Sequence, residues 1–146
     1  MAFSICITAE RFDEAACEEP AVKGVIEIGT FTEELLVSLA VWSPADYVRQ
    51  WETGLKRISS ADKSCLITSM RDLAVSDFIN WWMLYRVGDD VVFQNQVLLA
   101  TEVENSMIGD AIYGLIPVRE THTDDGQKIS EWVVPLRDID AFLSKR

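Results

Sequence analysis

Few residues in this chain are equipped for proton transfer or nucleophilic attack. His122 is the only histidine, so a Ser-His-Asp or Cys-His arrangement would need it as the single base. It stands in Thr121-His122-Thr123-Asp124-Asp125-Gly126, a polar run closing on Asp-Gly. Turn chemistry explains such a run more simply than catalysis does. Cys6, Cys17 and Cys65 are odd in number, widely spaced and form no C-x-x-C pair, which argues against a disulfide framework and against a zinc site. Asp89-Asp90 and Asp124-Asp125 could be drawn as cation ligands, but aspartates are expected at hairpin turns on backbone grounds alone. Neither G-x-G-x-x-G nor G-x-x-x-x-G-K-[ST] occurs, so dinucleotide and P-loop phosphate binding have no sequence basis. The expectation is a protein that is not an enzyme and uses no cofactor and no metal.

Charge points to a different kind of work. The chain has 13 basic and 24 acidic residues, a net −11. Residues 1–34 hold eight acids and two bases, and residues 89–125 hold eight acids and Arg119 alone. Free nucleic acid is a poor partner for such a surface, because affinity for phosphates comes from Lys and Arg displacing counterions. A basic protein suits it, and so does the plainer reading that acidity maintains solubility.

The elements that must carry these residues can be read in part. At 146 residues the chain is expected to form one domain over 1–146, long enough for a core without staples. No apolar run approaches the roughly 18 residues a membrane span needs. The N-terminus lacks a basic region before its apolar residues and does not read as a signal peptide, so a cytoplasmic protein is expected.

Val25–Ile28 and Leu35–Trp42, separated by the polar Thr32-Glu33-Glu34, predict a hairpin. Phe12–Val22 reads as loose. Ser43-Pro44-Ala45-Asp46 is a helix start, followed by Tyr47, Trp51, Leu55 and Ile58 on one face and an end at Ser59-Ser60. Strands are predicted at Cys65–Met70, Phe78–Arg86 and Val91–Leu99, then a short helix near Met107–Tyr113. Leu115–Glu120 and Lys128–Val134 read as two more strands, and Leu136 to about Lys145 as a last helix. Trp81 and Trp82 must point to opposite faces of their strand. Either both sheet faces are covered, or one indole is an exposed anchor. The fold class is α+β, dominated by antiparallel hairpins.

Several segments, in order and spacing, resemble the immunity proteins of bacterial contact-dependent growth inhibition. They are Trp42-x4-Tyr47-x3-Trp51, Ser69-Met70, Phe78-Ile79-x2-Trp82-x-Leu84-Tyr85, Gln94-Asn95, and Arg119-x-Thr121-His122-x2-Asp125-Gly126-x-Lys128-Ile129-Ser130-Glu131-Trp132. The resemblance runs from about Leu35 to Phe142 and is strongest to the member that neutralises a toxin cleaving 16S ribosomal RNA. It implies two antiparallel β-sheets packed across one another with helices at the ends, a Whirly-like fold. Whirly proteins bind single-stranded DNA, a function the charge here opposes.

The resemblance also implies a protein that binds and inhibits the C-terminal nuclease toxin domain of a cognate effector. The partner would be basic, bound one to one by a monomer, with no nucleic acid and no membrane involved. Family motif positions such as Trp42, Tyr47, Trp51 and Trp132 read as core, since partner discrimination collects on variable loops. The expected toxin-binding residues are therefore acids on loops: Glu102, Glu104, Asp110, Asp124 and Asp125. The alternative is a general acidic interaction domain without a toxin partner, and a small hydrolase built on His122 comes third.

Overall fold

The computed structural model describes residues 2–11, 20–71, 78–99 and 110–145, with Asp110 described by its backbone. The elements run β1 (Phe3–Arg11), β2 (Ala21–Ile28), β3 (Phe31–Ser38), α1 (Pro44–Arg57), β4 (Lys63–Ser69), β5 (Phe78–Val87), β6 (Asp90–Leu99), a 3₁₀ helix (Asp110–Leu115), β7 (Trp132–Pro135) and α2 (Leu136–Ser144). They form two antiparallel sheets, β1-β2-β3 and β4-β5-β6-β7. The α+β class and its two antiparallel sheets stand as expected. No helix of the described residues is long and apolar enough to cross a membrane.

The sheets meet face to face through aromatic rings. Phe31 stacks on Trp132 at 4.3 Å and approaches Trp82 at 6.4 Å, while Phe3 stacks on Phe93 at 5.3 Å and meets Phe142 of α2 edge-on at 5.4 Å. Alternation along β5 then sends Trp81 to the outer face, where it lies beside Leu115 and Pro117. Both indoles are buried. At this pair both faces of the sheet are covered, and the exposed-anchor reading of it is wrong.

Helix α1 begins as its sequence predicts. Ser43 Oγ accepts from Asp46 N and Asp46 Oδ2 accepts from Ser43 N, a full capping box. Tyr47, Trp51, Leu55 and Ile58 are all buried. This stripe seals the outer edge of β4, which has no neighbouring strand among the described residues. Gln50 accepts from Ile67 N at 2.8 Å and donates to Cys65 O at 3.0 Å, Trp51 Nε1 donates to Ile67 O at 2.7 Å, and Met70 N donates to Tyr47 Oη at 2.8 Å. Side chains thus supply the partners that another strand would give.

Five points need correction. A first strand, β1, was not anticipated. The first hairpin turns at Gly29-Thr30, not at Thr32-Glu33-Glu34. Gly29, at φ 64°, takes the first central position of a two-residue loop, as a type II′ turn requires. The three polar residues lie inside β3, where each acid has a partner: Glu34 pairs with Lys23 at 3.2 Å, and Glu33 accepts from Asn95 Nδ2 at 3.2 Å. The strand stops at Ser38, and Trp42 lies outside it, against Tyr47 at 5.1 Å.

The other two corrections fall between residues 107 and 134. The short helix is a 3₁₀ turn over Asp110–Leu115, and Met107 lies outside the described residues. Of the two strands drawn over 115–134, the structure forms only Trp132–Pro135 and an isolated bridge between His122 and Lys128. Among the described residues, 116–120 pair with no strand, and side chains take three of their carbonyls. Lys63 Nζ donates to Ile116 O at 2.9 Å, Tyr85 Oη to Pro117 O at 3.1 Å, and Gln94 Nε2 to Glu120 O at 2.9 Å.

Candidate functional site

Two of the described regions gather acidic residues that could meet a partner. One is the outer face of the three-stranded sheet. Lys23 lies between Glu10 at 2.9 Å and Glu34 at 3.2 Å, and strand alternation puts Glu27 on the same face. Hydrogen bonding from Lys23 holds the Glu10 carboxyl below its ordinary range. Glu33 is the exception on this sheet. It points inward at the rim, and burial pushes its carboxyl above the ordinary range.

The second region is the turn beyond the His122–Lys128 bridge. Gly126 N donates to Thr123 O at 2.9 Å and Thr123 N to Gln127 O at 2.8 Å, with Gly126 at φ 86°. Thr123 Oγ1 donates to Asp125 Oδ1 at 2.7 Å, and this bond, followed by the residue's own backbone N–H, holds Asp125 below the ordinary carboxylate range. Asp124 and Asp125 are both exposed at the tip. A two-point ion pair anchors the base of the turn: Arg119 Nε to Glu131 Oε2 at 2.8 Å and Nη2 to Oε1 at 2.7 Å. Buried Gln94 adds a donor to Glu131 Oε2 at 2.9 Å. The tip carries two exposed carboxylates, Asp125 held by Thr123, on a pinned loop.

Of the five expected binding residues, the structure brings Asp124 and Asp125 together. Asp110 opens the 3₁₀ helix, and Glu102 and Glu104 lie outside the described residues. The rim position of Glu33 was missed. Its signal was present in the spacing of β3, where Glu33 shares alternation with Leu35 and Val37.

These residues do not assemble reactive chemistry. His122 is exposed, with Nδ1 3.0 Å from Thr121 Oγ1. Burial pushes the Cys65 thiol up to about 12, and Cys6 is exposed and unpaired. Among the described residues no three His, Cys, Asp or Glu gather as a metal site would need. What the arrangement offers is negative charge carried on two packed sheets.

Comparison with known proteins gives one consistent answer. The model of the CdiI N-terminal domain family matches residues 37–142. A curated relative, the immunity protein CdiI of Enterobacter cloacae subsp. cloacae, is 34% identical over 115 residues, spanning 78% of this chain and 79% of that one. A chain of the solved CdiA-CT/CdiI toxin and immunity complex from Enterobacter cloacae superposes with a TM-score of 0.83 at 31% identity, covering 98% of this chain and 97% of its own. On sequence and fold together, this chain belongs to the CdiI family of immunity proteins.

Proposed function

We propose that this protein binds and inhibits the C-terminal toxin domain of a cognate contact-dependent growth inhibition effector, and that the toxin is a basic nuclease, most simply a ribonuclease. The observation that carries the reading is the near full-length match, at a TM-score of 0.83, to a chain of a toxin and immunity complex. The net charge of −11 supports a basic partner, since carboxylates then stand where substrate phosphates would lie. Inhibition of this kind is steric and electrostatic and needs neither catalysis nor a cofactor.

The protein acts in the cytoplasm, as a monomer binding one toxin domain, with the whole chain as one domain. One core drawing residues from Phe3 to Ile139 supports the last point. Glu102, Glu104, Asp110, Asp124 and Asp125 contact the toxin.

The test is co-expression with the cognate toxin domain, reading survival and ribosomal RNA integrity. Protected cells with intact RNA are expected. Cells killed despite abundant folded protein would refute the reading, and protection from a toxin that leaves RNA intact would refute its nuclease part.

A further inference from the structure

Among the described residues the three-stranded sheet ends on β3, and that edge differs from the sealed edge of β4. Leu39 N donates to Pro20 O, so the backbone of odd-numbered residues faces β2. The N–H and C=O groups of Thr32, Glu34 and Leu36 therefore face away from the sheet. Closure of this edge begins only at Ser38, whose N–H donates to Ser69 Oγ at 3.2 Å and whose carbonyl accepts from Tyr47 Oη at 2.6 Å. Beside the open part runs a groove of about 200 Å³, lined by Glu33, Glu34 and Leu36 on one side and by Thr68, Asn80 and Asn95 of the other sheet. Val97, about half exposed, continues the same sheet face as Asn95. The other edges are less inviting: β1 has a register break between Ile7 and Arg11, and β7 has four residues ending in Pro135.

We propose that the open edge of β3 is a second contact surface for the toxin, receiving an extended basic segment that pairs with the backbone of Thr32, Glu34 and Leu36. The occupant follows from charge. A second copy of this chain pairing edge to edge would bring acidic β3 against acidic β3, an arrangement that like-charge cross-strand contacts disfavour. A Lys- or Arg-bearing strand meets Glu33 and Glu34 favourably, and main-chain bonds supply affinity that does not depend on its sequence. Asn80, whose Oδ1 accepts from Arg71, and Asn95, whose Nδ2 donates to Glu33, line the far side of the groove. This surface rests on the proposed immunity function but not on the Asp124–Asp125 turn.

The test is amide hydrogen exchange of the whole chain, alone and bound to a catalytically inactivated cognate toxin domain, together with affinities of two variants. Glu34→Pro removes one outward N–H while leaving the bonds to β2, and Glu34→Gln removes only the charge. Binding is expected to slow exchange at Thr32, Glu34 and Leu36 by about tenfold or more. Glu34→Pro should weaken binding by about tenfold, and Glu34→Gln clearly less. Unchanged exchange at the three amides in a formed complex overturns this surface and leaves the immunity function standing; it decides the matter even if Glu34→Pro fails to fold. Slow exchange already present in the free protein, and stronger at higher concentration, assigns the edge to self-pairing and overturns it as well. A wild-type chain that binds no toxin refutes the immunity function itself.

Discussion

Gly54 of α1 lies so close to Cys65 of β4 that a Cβ placed on the glycine would overlap the Cys65 carbonyl oxygen. The contact is to backbone, so no side-chain rotation relieves it. Ser64 Oγ donates to Gly54 O at 2.6 Å and fixes the same approach. Replacing a mid-helix glycine by alanine would ordinarily gain up to about 1 kcal/mol of helix propensity. Overpacking against a fixed neighbour costs about 1–3 kcal/mol, so the clash wins. Gly54→Ala is expected to lower stability by about 1–2 kcal/mol, read as a lower urea midpoint; a stabilised variant would show that the helix can lift away from β4.

Trp51 separates core volume from edge sealing. Trp51→Ala removes a side chain that is 1% exposed and should cost about 3–5 kcal/mol. Trp51→Phe keeps most of the volume but leaves the Ile67 carbonyl without its donor, at about 1–3 kcal/mol. Chemical denaturation checks both, and a Trp51→Phe protein as stable as the parent would mean that water replaces the indole at the β4 edge.

Helix α1 was legible because its signals are local: a cap, a proline, and apolar residues at steps of four, four and three. The strands β4, β5 and β6 were legible from apolar runs and the Gly88-Asp89 turn. β1 escaped because the alternation of Phe3, Ile5 and Ile7 is short and breaks before Arg11. Thr32-Glu33-Glu34 misled because polarity marks a loop only if the residues lack strand partners, and Lys23 and Asn95 are distant in sequence. Residues 115–120 look like a strand in isolation, yet whether a strand forms depends on a neighbour that composition cannot reveal. The acids of the candidate site could be counted, but which of them share a surface is set by sheet register.

The Arg119–Glu131 pair gives a signed pH dependence. Hydrogen bonding from Arg119 holds Glu131 below its ordinary value of 4.5, with burial opposing. The folded pKa is thus depressed. Its contribution to stability is present above about 4.5 and is lost as pH falls through the lower, folded value. Glu33, raised by burial, contributes in the opposite sense over the pH range just above 4.5. Glu131→Gln should cost about 1.5–3 kcal/mol at neutral pH and flatten the loss of stability as pH falls below about 4.5. Parallel acid profiles for parent and variant would remove Glu131 from the account.

The Asp124–Asp125 tip is expected to act on toxin capture more than on folding. Both carboxylates are exposed, the turn is held by Thr123 and Gly126, and its base is pinned by Arg119 and Glu131, so charge can be reversed there without opening the core. Long-range attraction between an acidic protein and a basic toxin mainly raises the association rate, and a Debye length of about 8 Å at physiological salt shortens its reach. Asp124→Lys with Asp125→Lys should slow association with the cognate toxin while leaving the unfolding midpoint nearly unchanged. If either carboxylate is desolvated against a toxin Lys or Arg, dissociation also quickens and the total loss reaches about 2–5 kcal/mol. Glu102→Lys with Glu104→Lys is the companion set, and His122→Ala the control, expected to retain full protection. Raising salt should slow association of the parent and narrow its advantage over the reversed variants. Association rates insensitive to salt and to both reversals, measured by surface-immobilised toxin kinetics, would place recognition away from these acids.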